Sequence, residues 1–247
     1  MRRLFSITAL LALLALAAPA GAIINGTEDG PGHPNVGGLV ADQAYSDGTW
    51  VYCTGTLIAP KVFLTAAHCA EGDRVRVTFD ADYQDGDTVY TGTFHADPLY
   101  NRTVSDPHDI AVVVLDSAPP ITPAQLPAAD SLSKLRAGQL FTSVGYGAYE
   151  VTNSPGGHQL RYNDVRMVAT GTLNAVNPAW LRLSMNASTG DGGTCYGDSG
   201  GPNFLGNSDI VAATTITGDQ LCRATNVDYR LDTPSARNFL DDYVALP

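Results

Sequence analysis

A serine, a histidine and an aspartate stand in three short settings that could together open a carbonyl. The serine is Ser199, in Gly197-Asp198-Ser199-Gly200-Gly201-Pro202. A hydroxyl is a weak nucleophile until a base takes its proton. Attack on a carbonyl also builds negative charge on oxygen, which pre-aimed N–H donors must hold. Gly197 has no Cβ and lets its backbone approach a substrate closely, so the amides of Gly197 and Ser199 are candidate donors of an oxyanion hole. The competing reading of this stretch is a Gly-Pro surface turn whose Asp and Ser bond to their own backbone, and a short motif alone does not decide. The base candidate is His68, in Thr65-Ala66-Ala67-His68-Cys69. A lone histidine at a strand end also suits a structural role, and His33, His95, His108 and His158 are the alternatives. The orienting acid is Asp109, at the mouth of the apolar run 110–115. A carboxylate there is costly without hydrogen bonds; the other reading is an Asp that faces water.

The elements that must hold these groups read as strands. Residues 36–40, 49–52, 56–58 and 62–65 are short apolar runs, the last two separated by the turn Ala59-Pro60-Lys61. Val75, Val77 and Phe79 alternate with Arg76 and Thr78, the period of a half-buried strand, and 89–94 is similar. The continuous run 110–115 suits a buried strand. Residues 117–133 carry Pro119, Pro120, Pro123 and Pro127 and read as a linker between two halves. Strand texture resumes at 140–144, 160–168, 180–183, 210–217 and 227–231. At the end, Thr233 can cap and Pro234 can start a helix, with Ala236, Phe239, Leu240 and Val244 on one face. The expectation is an all-β body with one short C-terminal helix.

Composition narrows the class. With 247 residues and 44% hydrophobic content, the chain is globular rather than disordered. Residues 1–22 read as a secretory signal peptide: Arg2 and Arg3, an apolar run over 4–18, and the small-residue site Ala20-Gly21-Ala22. Secretion to the extracellular space follows, with no membrane attachment after cleavage. The net charge of −11 argues against a phosphate-backbone partner, so nucleic acid is not expected. Four cysteines in an oxidising compartment suggest two disulfides, with three pairings open. Zinc is the competitor, but no C-x-x-C pair is present. Asn25, Asn101 and Asn186 open N-x-S/T sequons, which matter only in a glycosylating host.

The three motifs, taken together and in the order His68, Asp109, Ser199, resemble the active-site motifs of the trypsin/chymotrypsin-like serine proteases. The resemblance runs over nearly the whole chain after residue 22. It implies two antiparallel six-stranded β-barrels with the site in the seam, the first over 23–120 and the linker, second barrel and helix over 121–247. It implies disulfides Cys53–Cys69 and Cys195–Cys222. It also implies a mechanism, in which Ser199 attacks, His68 shuttles the proton, Asp109 holds the imidazole, and the amides of Gly197 and Ser199 bind the oxyanion. No metal or cofactor is called for. Partners would be protein or peptide substrates and protein protease inhibitors, with the enzyme a monomer. A binding protein on the same scaffold and an esterase are the other readings.

By the same resemblance, Gly193 forms the floor of the primary specificity pocket, followed by Thr194. Enzymes that cut after Lys or Arg carry Asp at that floor. Thr215, Thr217 and Val227 would wall a narrow slot, so the expected preference is for small or medium uncharged residues before the scissile bond. A slip of one residue would bring Asp219 or Asp228 into play and restore Arg/Lys preference. Finally, a new N-terminus at Ile23-Ile24-Asn25-Gly26 would fold inward and pair its ammonium with Asp198. Signal peptidase cleavage after Ala22 would itself create that terminus, without a zymogen stage.

Overall fold

The computed structural model describes residues 23–154 and 157–247; the leader read over 1–22 lies outside them. After the two-residue β1 (Thr27–Glu28), six strands close a first barrel: β2 (Val36–Val40), β3 (Val51–Ala59), β4 (Val62–Thr65), β5 (Arg74–Thr78), β6 (Tyr90–Ala96) and β7 (Ala111–Leu115). Their order is β2-β3-β4-β7-β6-β5, every pair antiparallel, with β5 returning to β2. Alternation does what the sequence implied. In β5, Val75 and Val77 face the core while Arg74 is exposed. In β7 the run of branched side chains is buried almost throughout, because β4 and β6 flank it on both edges.

The second half adds β8 (Leu140–Gly145), the hairpin β9 (Glu150–Ser154) and β10 (Gly157–Arg161), then β11 (Met167–Val176), β12 (Trp180–Ser184), β13 (Pro202–Leu205), β14 (Val211–Gly218) and β15 (Thr225–Arg230). Six of these close a second antiparallel barrel, β8-β11-β12-β15-β14-β13, with β13 back on β8; β1 adds to the free edge of β11. Between β7 and β8 the chain crosses without a strand, tied by the bridge of Gln125 to Ile210 and by backbone bonds of Ala124 to Leu57 and Asp130 to Asp232. The helix α1 (Pro234–Leu240) begins as read: Thr233 accepts a hydrogen bond from the Ala236 amide at its N-terminus.

Three element readings are corrected. The runs read at 49–52 and 56–58 meet in one strand, β3, which starts only at Val51; Thr54 between them is buried with its hydroxyl bonded to Gly197 O. The run 160–168 is not one strand. It breaks at Asp164, whose φ is +55° and whose carboxylate accepts the amides of Trp50 (2.7 Å) and Val51 (3.0 Å); β11 starts only at Met167. Strands β9 and β13, and most of β11, had no clear apolar signal.

Each barrel has its own core. Leu39, Leu57, Phe63, Val77, Val113 and Leu115 fill the first; Phe141, Leu173, Leu181, Leu183 and Ala213 fill the second. A third cluster joins them: Val36, Leu64, Ile110 and Val112 pack with Val144, Phe204 and Tyr229, and with Ala236, Phe239 and Leu240 of α1. Burying each large apolar side chain contributes roughly 1.5–3 kcal/mol, so this shared cluster is what fixes one barrel against the other. Both ends of the candidate chemistry hang from it: Ile110 follows Asp109, and β13 follows the Ser199 loop.

Candidate active site

His68 lies in the 3-10 turn Ala67–Cys69 that follows β4. Asp109 lies just before β7. Strands β4 and β7 pair Thr65 with Ala111, so their adjacent ends bring the two side chains together. Nδ1 of His68 is 2.8 Å from Asp109 Oδ2, and the His68 amide donates to Oδ1 at 3.0 Å. Asp109 is only 3% exposed, yet both oxygens are satisfied, which answers the cost of burying it. A carboxylate can only accept, so Nδ1 carries the hydrogen and Nε2 is left with its lone pair. The turn that aims Asp109 is tight: the Ile110 amide donates to His108 O at 2.9 Å. His108 itself is held at φ +49°, with Nδ1 2.9 Å from Asp97 Oδ2.

Ser199 comes from the other barrel, in the loop before β13. Thr54 of β3 grips that loop at two points, its amide donating to Ser199 O (2.9 Å) and its hydroxyl to Gly197 O (3.0 Å). Strand β14 holds it from behind, with Gly200 N to Thr215 O at 2.8 Å and Thr215 N to Gly201 O at 2.9 Å. The approach is so close that a Cβ on Gly200 would lie 2.1 Å from Thr65 Oγ1 and 2.5 Å from Thr54 O; its φ is +79°. The amides of Gly197 and Ser199 donate to nothing among the described hydrogen bonds, which leaves two adjacent N–H groups free at the loop. His68, Asp109, Gly197 and Ser199 all line one cleft of about 1140 Å³. No hydrogen bond joins Ser199 Oγ to His68 Nε2 among those described. Such bonds often tighten only when substrate is bound.

Both disulfides have the implied pairing. Cys53–Cys69 joins β3 to the His68 turn, and Cys195–Cys222 braces the Ser199 loop against the segment after β14. Ligand atoms of Cys53, His68 and Cys69 cluster within 4.8 Å, but both sulfurs are spent in the disulfide and offer no thiolate to a metal.

The pocket expectations divide. Thr194, Thr215, Thr217 and Val227 line the cleft, together with Ile216 and Gly218; Gly193 does not. It is paired with Ile24 through two backbone hydrogen bonds (2.9 and 3.0 Å) and turned against Met185. Its backbone thus anchors the start of the described chain beside the cleft. Asp228 lies on the opposite face of β15 from Val227 and is 0% exposed. Asn203 Nδ2 reaches its Oδ1 at 2.7 Å and Thr215 Oγ1 at 3.2 Å, while Oδ2 has no partner. Burial drives its pKa well above the ordinary carboxylate value, against the pull of those hydrogen bonds. Its carboxyl lies behind the wall, not inside the pocket. Asp219 does line the cleft. The amides of Arg223, Ala224 and Thr225 hold its carboxylate and, against partial burial, bring its pKa below the ordinary value.

The activation pair is not formed in this chain. Asp198 is 0% exposed, and its oxygens accept the amides of Gly147 and Cys195, each at 2.8 Å. No cation meets it among the described residues. Burial, only partly offset by the two amides, pushes its pKa up to about 7. Ile23 is fully buried beside Met167 and Ala169, but it follows Ala22 in the chain and so carries an amide, not an ammonium. Sequence reading missed Thr54 and Gly147, which shape this loop from a distance. The small-residue pair Gly145 and Gly147 was the one available signal.

Comparison with known proteins gives a consistent set. A family model described as Trypsin matches residues 26–240. Brachyurin of Leptuca pugilator is 31% identical over 193 residues, covering 74% of this chain and 82% of that protein. The alkaline C trypsin of Manduca sexta is 29% identical, covering 72% and 75%. Among solved structures, that of HL collagenase superposes with a TM-score of 0.69 at 20% identity, covering 89% of this chain and 97% of that one. The structure of HBP gives 0.70 at 17% identity, covering 91% and 98%. These two likenesses establish the fold.

Proposed function

The chain belongs to the trypsin family of serine proteases, and on that premise we propose that it is a secreted endopeptidase whose triad is Ser199, His68 and Asp109. Membership makes it a serine endopeptidase acting on protein or peptide substrates; the residues and the specificity are our reading. One observation carries it. A buried carboxylate fixes the His68 ring at 2.8 Å, and the free Nε2 shares a cleft with Ser199 and two unpaired amides. Ser199 attacks the scissile carbonyl as His68 takes its proton. Asp109 stabilises the imidazolium, and the amides of Gly197 and Ser199 hold the oxyanion. His68 then protonates the leaving amine, and water hydrolyses the acyl-enzyme by the same route in reverse.

The residue before the scissile bond is small or medium and uncharged. Thr217 and Val227 face each other across β14 and β15 and narrow the slot, and Asp228 is buried behind it. Asp219 favours the second reading, a preference for Arg or Lys, since it is ionised and lines the cleft. Its carboxylate, however, is already engaged by backbone amides of its own loop. Secretion, protein inhibitors as further partners, a monomeric state and the division into barrels at 23–120 and 121–247 complete the proposal. A fluorophosphonate probe tests its centre: it should label Ser199 rapidly and at no other serine, and Ser199→Ala should abolish labelling. Slow labelling equal to that of surface serines would overturn it. Cleavage of a peptide library then separates the two pocket readings, and comparison with ester turnover excludes or supports an esterase.

A further inference from the structure

Beyond the pocket, the cleft wall carries a guanidinium with no partner. Val227 of β15 pairs with Thr217 of β14 on one side and with Arg182 of β12 on the other. Directly opposed residues of an antiparallel sheet project from the same face, and all three line the cleft. Arg182 is exposed, and its guanidinium has no hydrogen bond or ion pair among the described residues. Acidic residues outnumber basic ones 25 to 14 in the chain, and four other arginines are held by them. Arg74 pairs with Asp116, Arg76 with Asp42, Arg166 with Asp29 and Arg230 with Asp232. Trp180, two residues before Arg182 on the same strand face, also lines the cleft. Across the cleft stands a second cation, Arg102, whose Nε is bonded to Tyr100 OH.

From this arrangement we infer that Arg182 is a specificity-determining residue for an acidic side chain of the substrate, upstream of the pocket residue. The inference rests on the reading of the cleft as a protease site. Two strand spacings separate Thr217 from Arg182, about 10 Å, which is about three residues of extended peptide. The subsite therefore takes a residue about two to four positions before the scissile bond. A carboxylate fits the planar fork of arginine with two parallel hydrogen bonds. Glutamate suits the place best, its short aliphatic stem lying along Trp180 while its carboxylate reaches Arg182. A lysine there would meet Arg182 and Arg102 and be repelled.

The test uses matched peptides that differ only at those positions, with Glu, Gln or Lys. Hydrolysis by the wild-type enzyme is one readout. Binding to the Ser199→Ala protein, measured by fluorescence anisotropy, is the other, and it does not depend on catalysis. The Glu peptide should exceed the Lys peptide by about tenfold in both kcat/KM and affinity at low salt, a gap that shrinks as salt rises. Arg182→Gln should level the ratio and Arg182→Glu should reverse it; the exposed position tolerates both. Equal binding of the Glu and Lys peptides, or a Glu preference that survives in Arg182→Gln, overturns the inference. Failure of the wild type to hydrolyse any peptide would instead strike the proposed triad, while the binding ratio still judges Arg182.

Discussion

At the scale of single residues, the assignment turns on two atoms. Removing Ser199 Oγ takes away the proposed nucleophile and very little packing, since the loop is held by its backbone through Thr54 and Thr215. Ser199→Ala should therefore fold normally, with an unchanged thermal midpoint, and hydrolyse peptides at a trace rate. Asp109→Asn should be subtler. The amide can still hold the His68 ring, but one face now donates, so the wrong nitrogen of the imidazole keeps its hydrogen. In the family's triad such a change costs about 10⁴ in kcat. Steady-state kinetics on a small peptide substrate check both, and a loss under tenfold for either would place the chemistry elsewhere. The proximity of His68 and Asp109 was legible in the sequence because the proposed chemistry needs particular functional groups in short, dense motifs. The pocket was less so. Gly193 lies in such a motif, yet its contact with Ile24 joins positions far apart in the chain, and no local pattern encodes that. Val227 and Asp228 differ only in which face of β15 they take, a choice set by the register with β14 and its irregularity between Thr215 and Thr217.

At the scale of elements, the strands with regular alternation or long apolar runs were legible, and the irregular ones were not. Strand β5 alternates and β7 is almost wholly apolar; both were read within a residue or two. Strand β13 begins with Pro202 and carries Asn203, whose burial is made tolerable by hydrogen bonds to Thr215 and Asp228 and from Ser143 and Asn226. A polar strand of that kind looks like loop until its partners are known. The element that matters most for function is the contact between β3 and the Ser199 loop. Gly200 sits there with φ +79° and no room for a Cβ. Gly200→Ala should cost at least about 1–2 kcal/mol from the backbone alone, and more from the clash with Thr65 and Thr54. Urea unfolding should show that loss. Activity should fall further than stability, because relief of the clash moves Ser199 away from His68. A variant that keeps full kcat would mean the two barrels are not locked at this point. Loss of Cys195–Cys222 tests the other side of the loop: the double Cys→Ala variant should be less stable by roughly 3 kcal/mol and should lose affinity for substrate more than for an active-site label.

At the scale of the whole molecule, the question is what turns the uncut chain into a working enzyme. Its starting state is built around an uncompensated acid. Asp198 has two amide partners and, among the described residues, no cation, with a pKa raised to about 7 by burial. The unfolded chain ionises the same carboxyl near its ordinary value of 3.8. A carboxyl raised in this way leaves stability intact below about pH 4 and removes it progressively as pH climbs toward 7. The uncut chain should thus lose on the order of 4 kcal/mol between pH 4 and pH 8 from this one group, measurable as a falling urea midpoint in the Ser199→Ala background. Asp198→Asn should flatten that slope. The segment that could supply the missing cation is already docked: Ile23 is buried, and Ile24 is bonded through both backbone groups to Gly193. Cleavage after Ala22 would free an ammonium at Ile23 inside this buried setting. Pairing with Asp198 would then hold the carboxylate ionised at neutral pH, remove the downward slope, and fix the loop that carries Gly197 and Ser199. Losing either partner afterwards should cost about 3–5 kcal/mol. The expected result is that active protein from the culture medium begins at Ile23, that its midpoint no longer falls toward pH 8, and that Asp198→Asn in the cut form is inactive though folded. Full activity with Gly21 and Ala22 still attached, or an unaltered rate in Asp198→Asn, would show that the free terminus plays no part.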